Sequence, residues 1–137
     1  MIYIVINAFS IVAATLASLA FGTAYYLLLD RATGTPSSFG FGKWTILLPL
    51  ACIAEAWFAA ILAGALILAP PEADGWTMAI GSAVVIWLGF IVPVVLVTHR
   101  YRELMTRAAL ADCVHWFGVA VIQALVLQAS GLQMPPA

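Results

Sequence analysis

The sequence predicts an all-α integral membrane protein, a four-helix antiparallel bundle forming a single domain over residues 1–137. Three observations carry this. Hydrophobic residues make up 65% of the chain and charged residues only 8%, with a mean hydropathy of +1.11. A soluble domain carries about 25% charged residues, so these charges are too few to cover a surface in water. Four segments reach the roughly 20 mainly apolar residues that a helix needs to cross a bilayer core. All five Lys and Arg fall in two of the connections between those segments.

The first span is expected over about 2–29. No Lys or Arg precedes Arg31, the apolar stretch outruns a typical signal-peptide core, and no small-x-small cleavage site follows. The segment is therefore read as a retained helix. The second span, about 44–69, carries Pro49 early. The third, about 76–98, contains Pro93, which removes a backbone donor and is expected to kink the helix near Gly89. The fourth span covers about 108–129, and Pro135 and Pro136 prevent its continuation.

The connections read as polar breaks. Residues 30–43 hold Gly34, Pro36, Gly40 and Gly42, with Ser37 and Ser38 between them. Pro70 to Gly75 forms a tight turn, and 99–107 is a short charged loop. Arg31 and Lys43 lie in the first connection, and Arg100, Arg102 and Arg107 in the third. The positive-inside rule places both on the cytoplasmic side of a membrane, expected to be the bacterial inner membrane, with both termini outside. Tyr25, Tyr26, Trp44, Trp76 and Tyr101 are expected at the interfaces as belt aromatics.

Small residues provide packing candidates. Ser18 and Gly22 are spaced by four, as are Ala60 and Gly64, and such pairs let helix backbones approach closely in lipid. Gly89 and Pro93 join them as packing candidates on the third span. Cys52 and Cys113 lie in apolar segments outside any CxxC pattern and are read as small hydrophobes.

Glu55 is the most informative residue, a carboxyl group near the middle of the second span. A carboxyl at that depth is costly, so it is either paired inside the bundle or involved in moving something. At about 1.5 Å per residue from the cytoplasmic end, Glu55 falls roughly 16 Å deep. Asp112, His115 and Gln123 fall about 6, 10 and 22 Å deep on the fourth span, on one face. One reading joins Glu55, Asp112 and His115 into a polar track, since carboxylate and imidazole chains build proton relays in membranes. The other makes Glu55 packing glue between helices and pairs Asp112 with Arg102 or Arg107.

A third reading starts from Ala111-x-x-x-His115, which resembles the pigment-ligating pattern of antenna polypeptides. A haem held by two histidines needs a second one at depth, and His99 falls in the charged loop. No cofactor or metal is expected. No Ser–His–Asp grouping, phosphate-binding loop, HExxH or GxGxxG occurs, so no catalytic residue is assigned and an enzyme is not expected. The net charge of -1 and the lack of a basic stripe argue against a nucleic-acid partner.

The run Trp87-Leu88-Gly89-Phe90-Ile91-Val92-Pro93, followed by a short basic loop and a polar-started helix, is similar to a family of small membrane proteins. These are catalogued as domain of unknown function 1761. Gly22-Thr23-Ala24-Tyr25-Tyr26 resembles the aromatic cluster of that family's first helix. Around His115 the chain departs from the Gly–aromatic pair that the family favours. The resemblance implies four spans and no particular activity.

The expected function is that of a non-enzymatic membrane protein acting by association. It would be an accessory subunit of a larger complex or a homo-oligomer, with lipid and a membrane protein as partners. The alternatives are a small transporter or proton-conducting unit using Glu55 and the Asp112/His115 face, and a pigment- or haem-associated subunit with His115 as ligand.

Overall fold

A computed structural model describes residues 2–33, 41–70, 72 and 74–136, apart from the side chains of 41–44. The described residues form helices without a strand: α1 (Ile2–Ile6), α2 (Ala8–Thr33), α3 (Phe41–Ile67), α4 (Gly75–Ile86), α5 (Val92–Tyr101) and α6 (Thr106–Ser130). A π turn, Trp87–Ile91, joins α4 to α5 within one continuous span. Four helical stretches are long and apolar enough to cross a membrane: Ala8–Thr33, Thr45–Ile67, Gly75–Tyr101 and Thr106–Ser130.

α6 is the centre of the bundle. It packs against α2 on one side and α4 on the other, and α3 closes the ring by touching α2, α4 and α6. The buried core shows why the helices approach so closely. Eight of its eleven residues are alanine, among them Ala14, Ala60, Ala83 and Ala124, with Ile11, Leu62 and Leu127 filling the rest. Lipid supplies no hydrophobic drive between helices, so their contact rests on close packing and on hydrogen bonds.

Several element boundaries differ from the sequence expectation. The first span is not one helix from residue 2. It is interrupted at Asn7, whose side-chain amide donates to Tyr3 O at 3.0 Å, the same carbonyl that its own backbone N–H uses. The amide also donates to Gln133 O at 3.0 Å, and Asn7 Oδ1 accepts from Gln133 N at 2.8 Å. Asn7 thus clips the start of the chain to the segment after α6. The expected connection 30–43 begins later, because α2 continues through Asp30 to Thr33. Gly34, Pro36, Ser37, Ser38, Gly40, Pro71 and Ala73 lie outside the described residues.

The third span does not bend simply at Gly89. Pro93 has no N–H, and its ring would collide with the carbonyl four residues back, that of Gly89. The helix widens instead, and Val92 N–H bonds to Trp87 O, five residues back. Beyond this turn the helices diverge. α5 packs on α6 and no longer on α3, so the first half of α3 loses the neighbour that α4 gives its second half.

The last helix ends where its sequence requires. Gly131 takes φ +69°, the left-handed conformation of a helix C-cap, and its N–H bonds to Gln128 O at 3.3 Å.

Candidate functional site

Glu55 is 4% exposed and sits where α2, α3 and α6 meet. Ser18 on α2 donates its hydroxyl hydrogen to Glu55 Oε2. Gln123 on α6 donates to Ser18 Oγ at 2.9 Å and to the backbone carbonyl of Glu55 at 3.0 Å. Ser18 and Gln123 are fully buried. Three helices are therefore tied at one level by side chains that each helix supplies singly. The sequence depths of Glu55 and Gln123 differ by about 6 Å, whereas the structure brings the two residues together. α3 starts at Phe41 and α6 at Thr106, so both depths grow and most of the offset is bridged by the Gln123 side chain reaching the Glu55 carbonyl.

A second polar cluster lies nearer the other end of α6. Tyr26 OH donates to Asp112 Oδ1 at 2.8 Å, and Tyr25 OH to Ala111 O at 2.9 Å. His99 Nε2 lies 3.0 Å from Asp112 Oδ2, and His99 Nδ1 lies 2.9 Å from Val95 O. The partner of Asp112 is therefore His99, not Arg102 or Arg107. His99 belongs to α5 rather than to a loop, because that helix runs on to Tyr101. Tyr25 and Tyr26, expected as belt aromatics, bond to α6. α2 extends past them to Thr33. Trp76 and Tyr101 are exposed, and the side chain of Trp44 lies outside the described residues.

His115 sits between the two clusters and bonds to neither. Its ring lies among Tyr26 at 4.7 Å, Trp116 at 5.4 Å, Tyr25 at 5.7 Å and Phe21 at 6.3 Å between centroids. It is 7% exposed, and buried Nδ1 has no hydrogen-bond partner. Gly22 makes room for the ring, since a Cβ there would stand 2.7 Å from His115 Nε2.

A cavity of about 230 Å³ opens beside this ring. Gly22, Thr23 and Tyr26 line it from α2, Leu47, Leu48, Ala51 and Glu55 from α3, and His115 and Trp116 from α6. Glu55 and His115 thus share one chamber, although no hydrogen bond joins them. The chain matches no family model, no curated protein and no solved structure. The chemistry of this chamber is read from its geometry.

The polar track expected from the sequence is divided. Glu55 bonds in one group with Ser18 and Gln123, Asp112 belongs to another, and His115 stands between them. Among the described residues no group of three or more His, Cys, Asp or Glu is placed to hold a metal.

The packing candidates also separate. Ser18, Gly22 and Ala60 are buried, and Gly64 faces Tyr3, whose hydroxyl would lie 3.1 Å from an added Cβ. Among the described residues neither Gly89 nor Pro93 is buried against another helix. Both are exposed, and a Cβ at Gly89 would meet nothing within 4 Å. Their effect within the chain is on the backbone bonding of the π turn.

Three contributors escaped the sequence reading. Asn7 was hidden in an apolar run. His99 was assigned to a loop. Trp87 entered only as the first residue of the Trp87–Pro93 run, yet its Nε1–H donates to Cys113 O at 2.8 Å and fastens the π turn to α6. The one signal available for Trp87 was an indole donor deep in a span, where it requires an acceptor.

Proposed function

We propose that this chain is a non-enzymatic integral membrane protein that acts by association, as a homo-oligomer or as an accessory subunit of a larger membrane complex. The observation that carries this reading is the bareness of the third span. Only 6% of its most apolar window is buried, against 33%, 28% and 39% for the other three spans. Gly81 and Gly89 are exposed on it, with open space where a Cβ would stand. Exposed glycines on a spanning helix allow another backbone to come close. The buried polar groups fit the same reading, because Ser18, Glu55 Oε2 and the Gln123 amide nitrogen tie three helices together.

In this proposal the chain lies in the bacterial inner membrane with loops 30–43 and 99–107 in the cytoplasm. It is a relative of the domain of unknown function 1761 proteins, through the Trp87–Pro93 run. The test is gentle-detergent isolation from the native membrane, with mass measurement of the intact assembly. Wild type is expected in an assembly, and Gly81→Leu with Gly89→Leu is expected to release it. A wild-type monomer without a partner would overturn the reading.

One observation favours a second reading, a small transporter. Glu55 and His115 face one chamber within the membrane. Glu55→Gln separates the two readings, since it would abolish flux while leaving assembly intact.

A further inference from the structure

The chamber beside Glu55 has a chemistry that helix association does not use. Its wall is mostly apolar, with Leu19, Leu27, Leu47, Leu48 and Trp116 around the carboxyl of Glu55. Glu55 Oε2 is taken by Ser18, and the second carboxyl oxygen has no hydrogen bond to a described residue. Among the described residues no Lys or Arg lines the chamber. Within those residues the carboxyl therefore faces space without a counter-charge, in a medium that makes an unpaired charge costly. The imidazole of His115 also lines the chamber, from α6, with neither ring nitrogen hydrogen-bonded among the described residues.

Access is from the side. Among the described residues α5 does not touch α3, so the first half of α3 lacks on that side the cover that α4 gives its second half. Leu47 and Leu48, at the mouth of the chamber, are each 45% exposed. An occupant arriving through the bilayer meets these two side chains first.

We propose that this chamber binds a lipophilic amine in its ammonium form. The ammonium N–H groups bond to the free carboxyl oxygen of Glu55, and neutral His115 offers an imidazole nitrogen as a second acceptor. The apolar body rests on the leucines. The faces of Tyr26 and Trp116 add cation–π attraction. Charge complementarity selects the occupant, because a carboxylate with no cation beside it favours an ammonium over a neutral molecule of equal shape. Size limits it as well. A cavity of about 150 Å³ takes benzene, so about 230 Å³ takes roughly nine non-hydrogen atoms, with longer tails left in the lipid.

2-Phenylethylamine has that size, and 2-phenylethanol is its neutral isostere. Binding of both, radiolabelled, to the protein in lipid nanodiscs tests the proposal. The amine is expected to bind at least about tenfold more tightly, the usual advantage of one charge-assisted hydrogen bond. Glu55→Gln retains the Ser18 bond and is expected to erase that advantage while leaving the alcohol unaffected. If this variant does not fold, Leu48→Trp narrows the mouth from an exposed position and is expected to weaken the amine. Equal affinity for amine and alcohol, no binding of either, or amine binding unchanged in whichever variant folds would overturn the proposal.

Discussion

The side-chain amide of Gln123 donates to the backbone carbonyl of Glu55 across 3.0 Å, joining the last helix to the second span inside the bundle. The same amide nitrogen donates to Ser18 Oγ, while Gln123 Oε1 is buried without a partner. One amide group therefore fastens α6 to both α2 and α3. Gln123→Leu is expected to destabilise the bundle by about 1–2 kcal/mol, the upper range for interhelical hydrogen bonds in membranes. Glu55→Gln keeps an acceptor for Ser18 and should cost less. Reversible unfolding in mixed micelles measures both, and a Gln123→Leu variant as stable as wild type would refute the role given to this amide.

Gly22 and Gly81 make a paired test of packing. A methyl group at Gly22 collides with His115 Nε2, whereas one at Gly81 meets nothing within 4 Å. Gly22→Ala is expected to cost about 1–3 kcal/mol through overpacking. Gly81→Ala is expected to be neutral, or to stabilise by up to about 1 kcal/mol through helix propensity. Thermal unfolding of the two variants in one detergent gives the comparison, and equal shifts would refute the assignment.

Gly131 holds a left-handed backbone conformation. Gly131→Ala is expected to destabilise the end of α6 by about 1–2 kcal/mol, because a Cβ is strained there. Hydrogen exchange at residues 127–130 should rise before global unfolding changes. Unaltered exchange would mean that the cap does not hold the last turn.

Asp74 gives a pH dependence outside the membrane. Its carboxylate accepts from Thr77 N and from the Thr77 hydroxyl, both at 2.8 Å. These bonds hold its pKa below the ordinary Asp value, with the backbone bond the larger cause. The cap's stabilisation is thus fully present above the unfolded-state pKa of about 3.9. It is lost as pH falls through the lowered folded value. Asp74→Asn keeps a cap and should remove this part of the acid sensitivity, as an acid titration of α4 helicity would show.

The π turn and α5 are fastened to α6 by Trp87 on Cys113 O and by His99 on Asp112. Spin labels at Val97 and Leu110, both exposed, report the separation of the two helices. The distance distribution is expected to broaden in Trp87→Phe and more so with His99→Leu added. A distribution as narrow as wild type would show that apolar contact alone holds α5.

The four spans were legible because hydropathy and length decide them locally. Glu55 was legible as buried for the same reason, since a lone carboxyl in an apolar run has few places to go. Its partners were not, because Ser18 and Gln123 lie 37 and 68 residues away in sequence and helix rotation sets who faces whom. Ser18 was picked out for its size, and the structure uses its hydroxyl as well. The bond of Tyr26 to Asp112 was not legible, because the extent and rotation of α2 are uncertain from sequence. His99 was misplaced through the same uncertainty at the end of α5.

The widened turn at Trp87–Ile91 works as a one-residue offset in the helical count. Each residue of an α-helix turns about 100°, so everything after the offset is rotated against a wheel drawn from Gly75. His99 meets Asp112 in this rotated setting. Deleting one residue within 87–91 would remove the extra residue and leave His99 on its partner, whereas drawing the turn into regular α-helix at full length would swing His99 off by about a quarter-turn. The third span is therefore two surfaces on one axis. A scan of label accessibility along it should show a regular rhythm that slips by one position in mid-membrane.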